Sequence, residues 1–160
     1  MLTHENLSSN ALTLMDCWRF TSGDRLIHAL PVFHAHGLFA AAGVALLSGA
    51  AMVFQNRFDP DAVIAALPGA TALMGVPTLY GRLLDQPSLT RDACASMRLF
   101  VSGSAPLSAE THAAWRERTG HSILERSGMT SAHAGQSGRI VTRGILREFS
   151  GFHASCQSGT

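Results

Sequence analysis

The chain has 160 residues, a formal net charge of +1 and 14% charged residues. That is one ordinary domain, long enough to bury a core, without the basic footprint of a nucleic-acid binder. All 12 cationic side chains are Arg and Lys is absent, which bears on any chemistry that depends on a lysine.

So few charges predict a surface more apolar than a free monomer needs, as if part of it were meant to be covered. Cys17, Cys94 and Cys156 are widely separated and form no CxxC or metal-ligand spacing. A reducing, cytoplasmic setting is the expectation. Met1-Leu2-Thr3-His4-Glu5 lacks the charged-then-apolar layout of a signal peptide. The longest apolar run, Gly37 to Met52, is broken by Gly43, Ser48 and Gly49. A buried helix and strand fit it better than a membrane span.

Thr3 reads as the N-cap of a first helix, with Leu7, Ala11, Leu14 and Met15 at helical spacing and an end near Arg19. Thr21-Ser22-Gly23-Asp24 is a turn. Arg25 to Leu30 is a strand leading into Pro31-Val32-Phe33-His34-Ala35-His36-Gly37. Gly37 to Leu47 is helical and almost wholly apolar, as for a helix buried on most sides. Ala51 to Phe54 is a short strand. Asp59 followed by Pro60 starts a helix that runs to Leu67. Ala72 to Val76 is the next strand, and Pro77 opens a helix through Leu84. Pro87 to Ala95 is a connector.

Leu99-Phe100-Val101 is a strand that stops at Ser102-Gly103-Ser104, with Gly103 as the residue for a tight turn at positive φ. Ser108 caps a helix to Thr119, and Gly120 stands where a C-terminal glycine belongs. Ser122 to Arg126 is the last strand. Strand and helix alternate with short loops, so the expected class is α/β: a partial parallel sheet with helices on both faces. A small-residue connection after a strand is how such sheets offer backbone N–H groups to a ligand. Ser131 to Thr160 has no sustained periodicity, and the reading is an unrelated, disordered tail.

Four segments in this order are specific together: Leu2-Thr3-His4-Glu5-Asn6-Leu7, Leu30 through Leu38, Arg98 through Leu107, and Glu125-Arg126-Ser127-Gly128-Met129-Thr130. They resemble the adenylate-forming acyl-CoA synthetases, and among these the malonyl-CoA synthetases. The resemblance covers Leu2 to Thr130. It implies the N-terminal domain of an enzyme that joins a carboxylate to ATP as an acyl-adenylate, then to CoA, with Mg²⁺ stabilising the phosphate charge. Residues 1–130 would be part of that AMP-binding domain and residues 131–160 would not.

By position, the resemblance assigns Ser102, Gly103, Ser104, Ala105 and Pro106 to the turn along the nucleotide and acyl site. Gly128, Met129 and Thr130 join the nucleotide-binding set, with Thr130 as the catalytic hydroxyl at the AMP phosphate. Ser104 would serve the second carboxylate of a substrate such as malonate or bond its own turn backbone, and Arg126 would serve that dicarboxylate or pair at the surface. His34 would face the acyl pocket, while His36 reads as a packed histidine. Gly75-Val76-Pro77-Thr78 resembles the segment beside the pantetheine channel.

Two positions depart from the family pattern. Ser127 replaces an aromatic residue that stacks on adenine, and Ser131 replaces a Glu that binds Mg²⁺. The family's Gly-rich phosphate loop and its C-terminal catalytic Lys have no counterpart in this sequence. The expectation is a synthetase segment with little or no activity by itself. The alternatives are a non-catalytic nucleotide- or CoA-binding module, or an unstable gene remnant. A serine hydrolase is disfavoured because the Gly-x-Ser-x-Gly elbow is absent.

Overall fold

The structure is a computed structural model that describes residues 3–126. Five strands form one all-parallel sheet: β1 (Arg25–His28), β2 (Ala51–Phe54), β3 (Ala72–Gly75), β4 (Leu99–Gly103) and β5 (Ile123–Arg126). Their order across the sheet is β2-β1-β3-β4-β5. The chain steps from β1 to one side and returns to the other, so the direction of winding reverses between β1 and β3. Open α/β sheets bind ligands outside the carboxyl ends of strands at such a reversal.

The helices form where the local signals put them. Helix α1 (His4–Cys17) opens with a reciprocal cap: the Asn6 amide donates to the Thr3 hydroxyl at 3.2 Å, and the Thr3 amide donates to the Asn6 side chain at 3.1 Å. A π-helix spans His36–Ala42 and runs directly into α2 (Gly43–Ser48). Helix α3 (Pro60–Ala66) has Asp59 as N-cap and ends in a 3₁₀ turn at Leu67–Gly69. Helix α4 (Pro77–Leu84) starts on its proline. Helix α5 (Ala109–Thr119) is capped by Ser108 and stops at Gly120, whose φ is +80°.

Both sheet faces are covered, each by its own core. On one side α1, the π-helix and α2 pack Leu14, Trp18, Val44 and Ala45 against Leu26, Met74 and Val101. On the other side α3, α4 and α5 pack Val63, Leu67, Leu83 and Trp115 against Ile27, Leu73 and Phe100. Trp115 lies edge-on to Tyr80 and Phe100, with centroids 5.0 and 5.1 Å away. The Tyr80 hydroxyl donates to the Val101 carbonyl at 2.8 Å, so this fully buried phenol has its partner.

At the opposite end of the sheet from the carboxyl ends, Arg98 gathers the chain. Its Nε and Nη2 each donate to Asp24 at 2.7 Å, and Nη1 donates to the Trp18 carbonyl at 3.0 Å. Thr71 completes the cluster with a 2.7 Å bond to Asp24. The end of α1 and the starts of β1, β3 and β4 are thereby tied at one point.

The apolar surface expected from the composition is present: Phe33 is 81% and Leu46 71% exposed. Among the described residues, no helix is long and apolar enough to cross a membrane.

Two local expectations are corrected. Strand β4 continues through Ser102 and Gly103, because Ser102 pairs in register with Gly75 and Glu125, and Gly103 with Arg126. The residue at positive φ is Ser104, at +70°, and not Gly103.

Candidate functional site

The carboxyl ends of β1, β4 and β5 carry buried polar side chains. Ser102 is 1%, His28 1% and His36 6% exposed. The Ser102 hydroxyl, both ring nitrogens of His36, Nδ1 of His28 and Nε of Arg126 are buried and have no hydrogen-bond partner among the described residues. Buried polar groups in folded proteins are nearly always paired, and leaving one unpaired costs about 1–3 kcal/mol. Unpaired polar groups at a strand-end reversal mark a candidate ligand site.

The placement follows from strand alternation. Residues 103 and 126 are in register on adjacent strands. Gly103 presents no side chain, and the His36 ring fills that space from the start of the π-helix. His36 is held neutral at pH 7: burial, then the nearby Arg126 charge, then His28 lower its pKa from 6.5 to about 4. Arg126 is the cation of this cluster. Burial lowers its pKa too, yet a guanidinium stays charged at any ordinary pH.

The backbone after β1 sets the ring's direction. His28 and Gly37 are joined by a 2.9 Å hydrogen bond from imidazole Nε2 to the Gly37 carbonyl. Residue 37 must be glycine, because a Cβ there would run into the Pro31 carbonyl oxygen. π-Helical turns are rare and are frequent at functional sites.

The turn after β4 is the second part. Ser104, Ala105 and Pro106 are exposed, and Leu107 is buried. Ser104 adopts the left-handed conformation, which a non-glycine residue rarely takes. Glu125 pins this turn: its Oε2 accepts from the Leu107 amide at 3.4 Å, and its Oε1 lies 2.7 Å from His112 Nε2.

Of the residues singled out from the sequence, Gly103 and Arg126 stand with His36, Ser102 is buried at the end of β4 on the face of the sheet that carries Phe100, and Ser104, Ala105 and Pro106 form the turn that follows. His34 does not reach the cluster: it is exposed and its ring lies against Phe33, with centroids 4.5 Å apart. His36, expected as a packed histidine, is buried, and Gly103, far along the chain, makes room for its ring. Gly128, Met129 and Thr130, together with Ser127 and Ser131, lie outside the described residues. Among the described residues no three His, Cys, Asp or Glu side chains group as metal ligands.

The profile of the AMP-binding enzyme family matches residues 1–143. The human mitochondrial malonate–CoA ligase ACSF3 is 34% identical over 156 residues, 88% of this chain and 27% of that protein. The crystal structure of apo MatB from Rhodopseudomonas palustris superposes with a TM-score of 0.80 at 57% identity, over 81% of this chain and 26% of that one. A malonyl-CoA ligase in a ternary product complex with methylmalonyl-CoA and AMP gives a TM-score of 0.76 at 35% identity, covering 88% and 32%. The chain thus spans about a quarter of the length of the first two relatives. Its sheet has the fold of the N-terminal domain of MatB-type adenylate-forming enzymes, and the chain belongs to the AMP-binding enzyme family.

Proposed function

We propose that this chain holds the acyl-substrate side of an ATP-dependent synthetase that converts malonate, or a close dicarboxylate, to its CoA thioester. The observation that carries this reading is Arg126, a half-buried guanidinium whose Nε has no partner among the described residues. It stands at the carboxyl end of β5, in a chain 57% identical to MatB. One carboxylate of malonate is activated, and the other keeps its charge throughout. That retained anion needs a fixed cation, and a guanidinium binds a carboxylate with two parallel N–H bonds. Ser104, on the adjoining turn, is the second donor in this proposal.

ATP, as co-substrate, supplies the phosphoryl electrophile and the AMP leaving group, and the CoA thiol then displaces AMP. The turn Ser104-Ala105-Pro106 is small-residued and exposed, as a backbone lying along a nucleotide needs to be. Ser102 would support that turn from below. Gly128, Met129 and Thr130 complete the nucleotide set in this proposal, with Thr130 at the phosphate. Mg²⁺ would neutralise phosphate charge, held largely by the phosphates and water. A cytoplasmic setting belongs to the same proposal, although the human relative is named as mitochondrial.

Malonate-dependent exchange of pyrophosphate into ATP, together with malonate binding to the 160-residue chain, tests the reading. The expected outcome is malonate binding with little or no exchange, because Lys is absent and Ser131 replaces a carboxylate. No malonate binding at tens of millimolar overturns the substrate assignment. Brisk exchange overturns the claim of inactivity.

A further inference from the structure

We propose that His36 is a specificity-determining residue: its imidazole donates a hydrogen bond to the free carboxylate of the substrate beside Arg126, and His28 positions it. This inference deepens the function proposed above and rests on it.

Three observations support it. First, His36 is 6% exposed and neither ring nitrogen has a partner among the described residues. A histidine kept only for packing would be cheaper as Phe or Leu, because its two nitrogens lose water and gain nothing. Second, the ring is aimed. The Gly103 position admits it against β4, and Arg126 is the register partner of Gly103 on β5. Third, the aim is built in from below. The buried His28 bonds the carbonyl of Gly37, the residue after His36, and stacks on Phe54 with centroids 5.2 Å apart.

The chemistry is complementary. A neutral imidazole offers one N–H donor and one acceptor. A carboxylate takes the donor, and Arg126 supplies the charge that makes burying an anion affordable. Acetate, once activated at its single carboxylate, leaves both donors unpaired. A site with buried donors rejects a ligand that lacks the matching acceptor far more strongly than an apolar pocket rejects a methylene. His28 acts through Gly37 and not on substrate, so it is a positioning residue.

The test uses the whole 160-residue chain with ¹⁵N-labelled histidine, titrated separately with malonate and with malonamide, its neutral diamide. Malonate is expected to bind at least about tenfold more tightly than malonamide and to shift the His36 ring nitrogens. His36→Phe is expected to lose about tenfold in malonate affinity. His36→Gln, which keeps a donor, is expected to recover most of the loss. His28→Phe is expected to weaken malonate binding and His28→Gln to rescue it, with the thermal transition checking that each variant folds. Malonate binding to the parent chain without a shift at His36, or unchanged in His36→Phe, overturns this inference and leaves the malonate reading standing. No malonate binding by the parent chain overturns both.

Discussion

The His36 ring occupies the space that a side chain at residue 103 would fill: a Cβ there would stand 2.8 Å from His36 Cε1 and 3.0 Å from Nδ1. Real Cβ contacts are not that short, so the ring or the strand would have to move. Gly103 is therefore a packing glycine, chosen for what it lets in and not for its own backbone angles.

Gly103→Ala is expected to cost about 1–3 kcal/mol, as overpacking of a filled interior does. Urea titration measures it. Gly81→Ala is the control: a Cβ there meets nothing within 4 Å, and the site is inside helix α4. That change should stabilise by about 0.5–1 kcal/mol, since alanine is the better helix former. Equal effects at the two sites would mean that His36 does not press on residue 103.

The acid behaviour of the fold should carry the mark of His36. Its pKa is lowered to about 4 in the folded chain, against about 6.5 unfolded. The unfolded chain therefore binds more protons between those values, and stability falls as pH drops from about 6.5 to about 4. The full effect is about 3 kcal/mol. Melting temperature against pH for the parent chain and His36→Gln checks this. The variant should be flatter across that window, and parallel curves would show that His36 does not titrate as a buried neutral group.

At the other end of the sheet the sign is that of a carboxylate. Burial alone would raise the Asp24 pKa, but hydrogen bonds from Arg98, Thr71 and the Thr21 amide, and the Arg98 charge, hold it well below the usual range. Asp24 therefore stabilises the fold above its unfolded pKa of about 3.9, and that stabilisation is lost as pH falls through its folded pKa. Asp24→Asn is expected to cost about 2–3 kcal/mol at pH 7, below the range for a fully buried pair because Arg98 is 37% exposed. The difference between variant and parent should shrink in strong acid. A constant difference from pH 7 to pH 2 would show that the cost is lost packing and not charge.

The parts of this fold that could be read from the sequence are those with local causes. Thr3, Asp59 and Ser108 cap their helices because the capping side chain and the amide it binds are two or three residues apart. Ala51 to Phe54 is bounded as expected because turn residues flank it. What could not be read has distant causes. Ser102 and Gly103 extend β4 because Gly75, Glu125 and Arg126 pair with them across the sheet. The π-turn at His36 depends on Pro31, which forbids a side chain at 37, and on His28, which holds the carbonyl. The burial of the His36 ring depends on Gly103. A linear pattern contains none of these relations.

Ser104 joins stability to function in one residue. Its φ of +70° is a conformation in which an L-residue with a Cβ is strained by about 1 kcal/mol, a cost glycine does not carry. Ser104→Gly is therefore expected to raise the unfolding free energy by a few tenths to about 1 kcal/mol, offset in part by glycine's greater unfolded-state freedom. Ser104→Val should lower it, since a β-branched residue tolerates this region least. If the strain is kept because the hydroxyl serves a ligand, Ser104→Gly will bind malonate or nucleotide more weakly while melting higher, the pattern expected where strain is stored at a functional site. Calorimetric melting and ligand titration on the same preparation separate the two effects. A variant that melts higher and binds as the parent does would leave the left-handed serine without a functional reason.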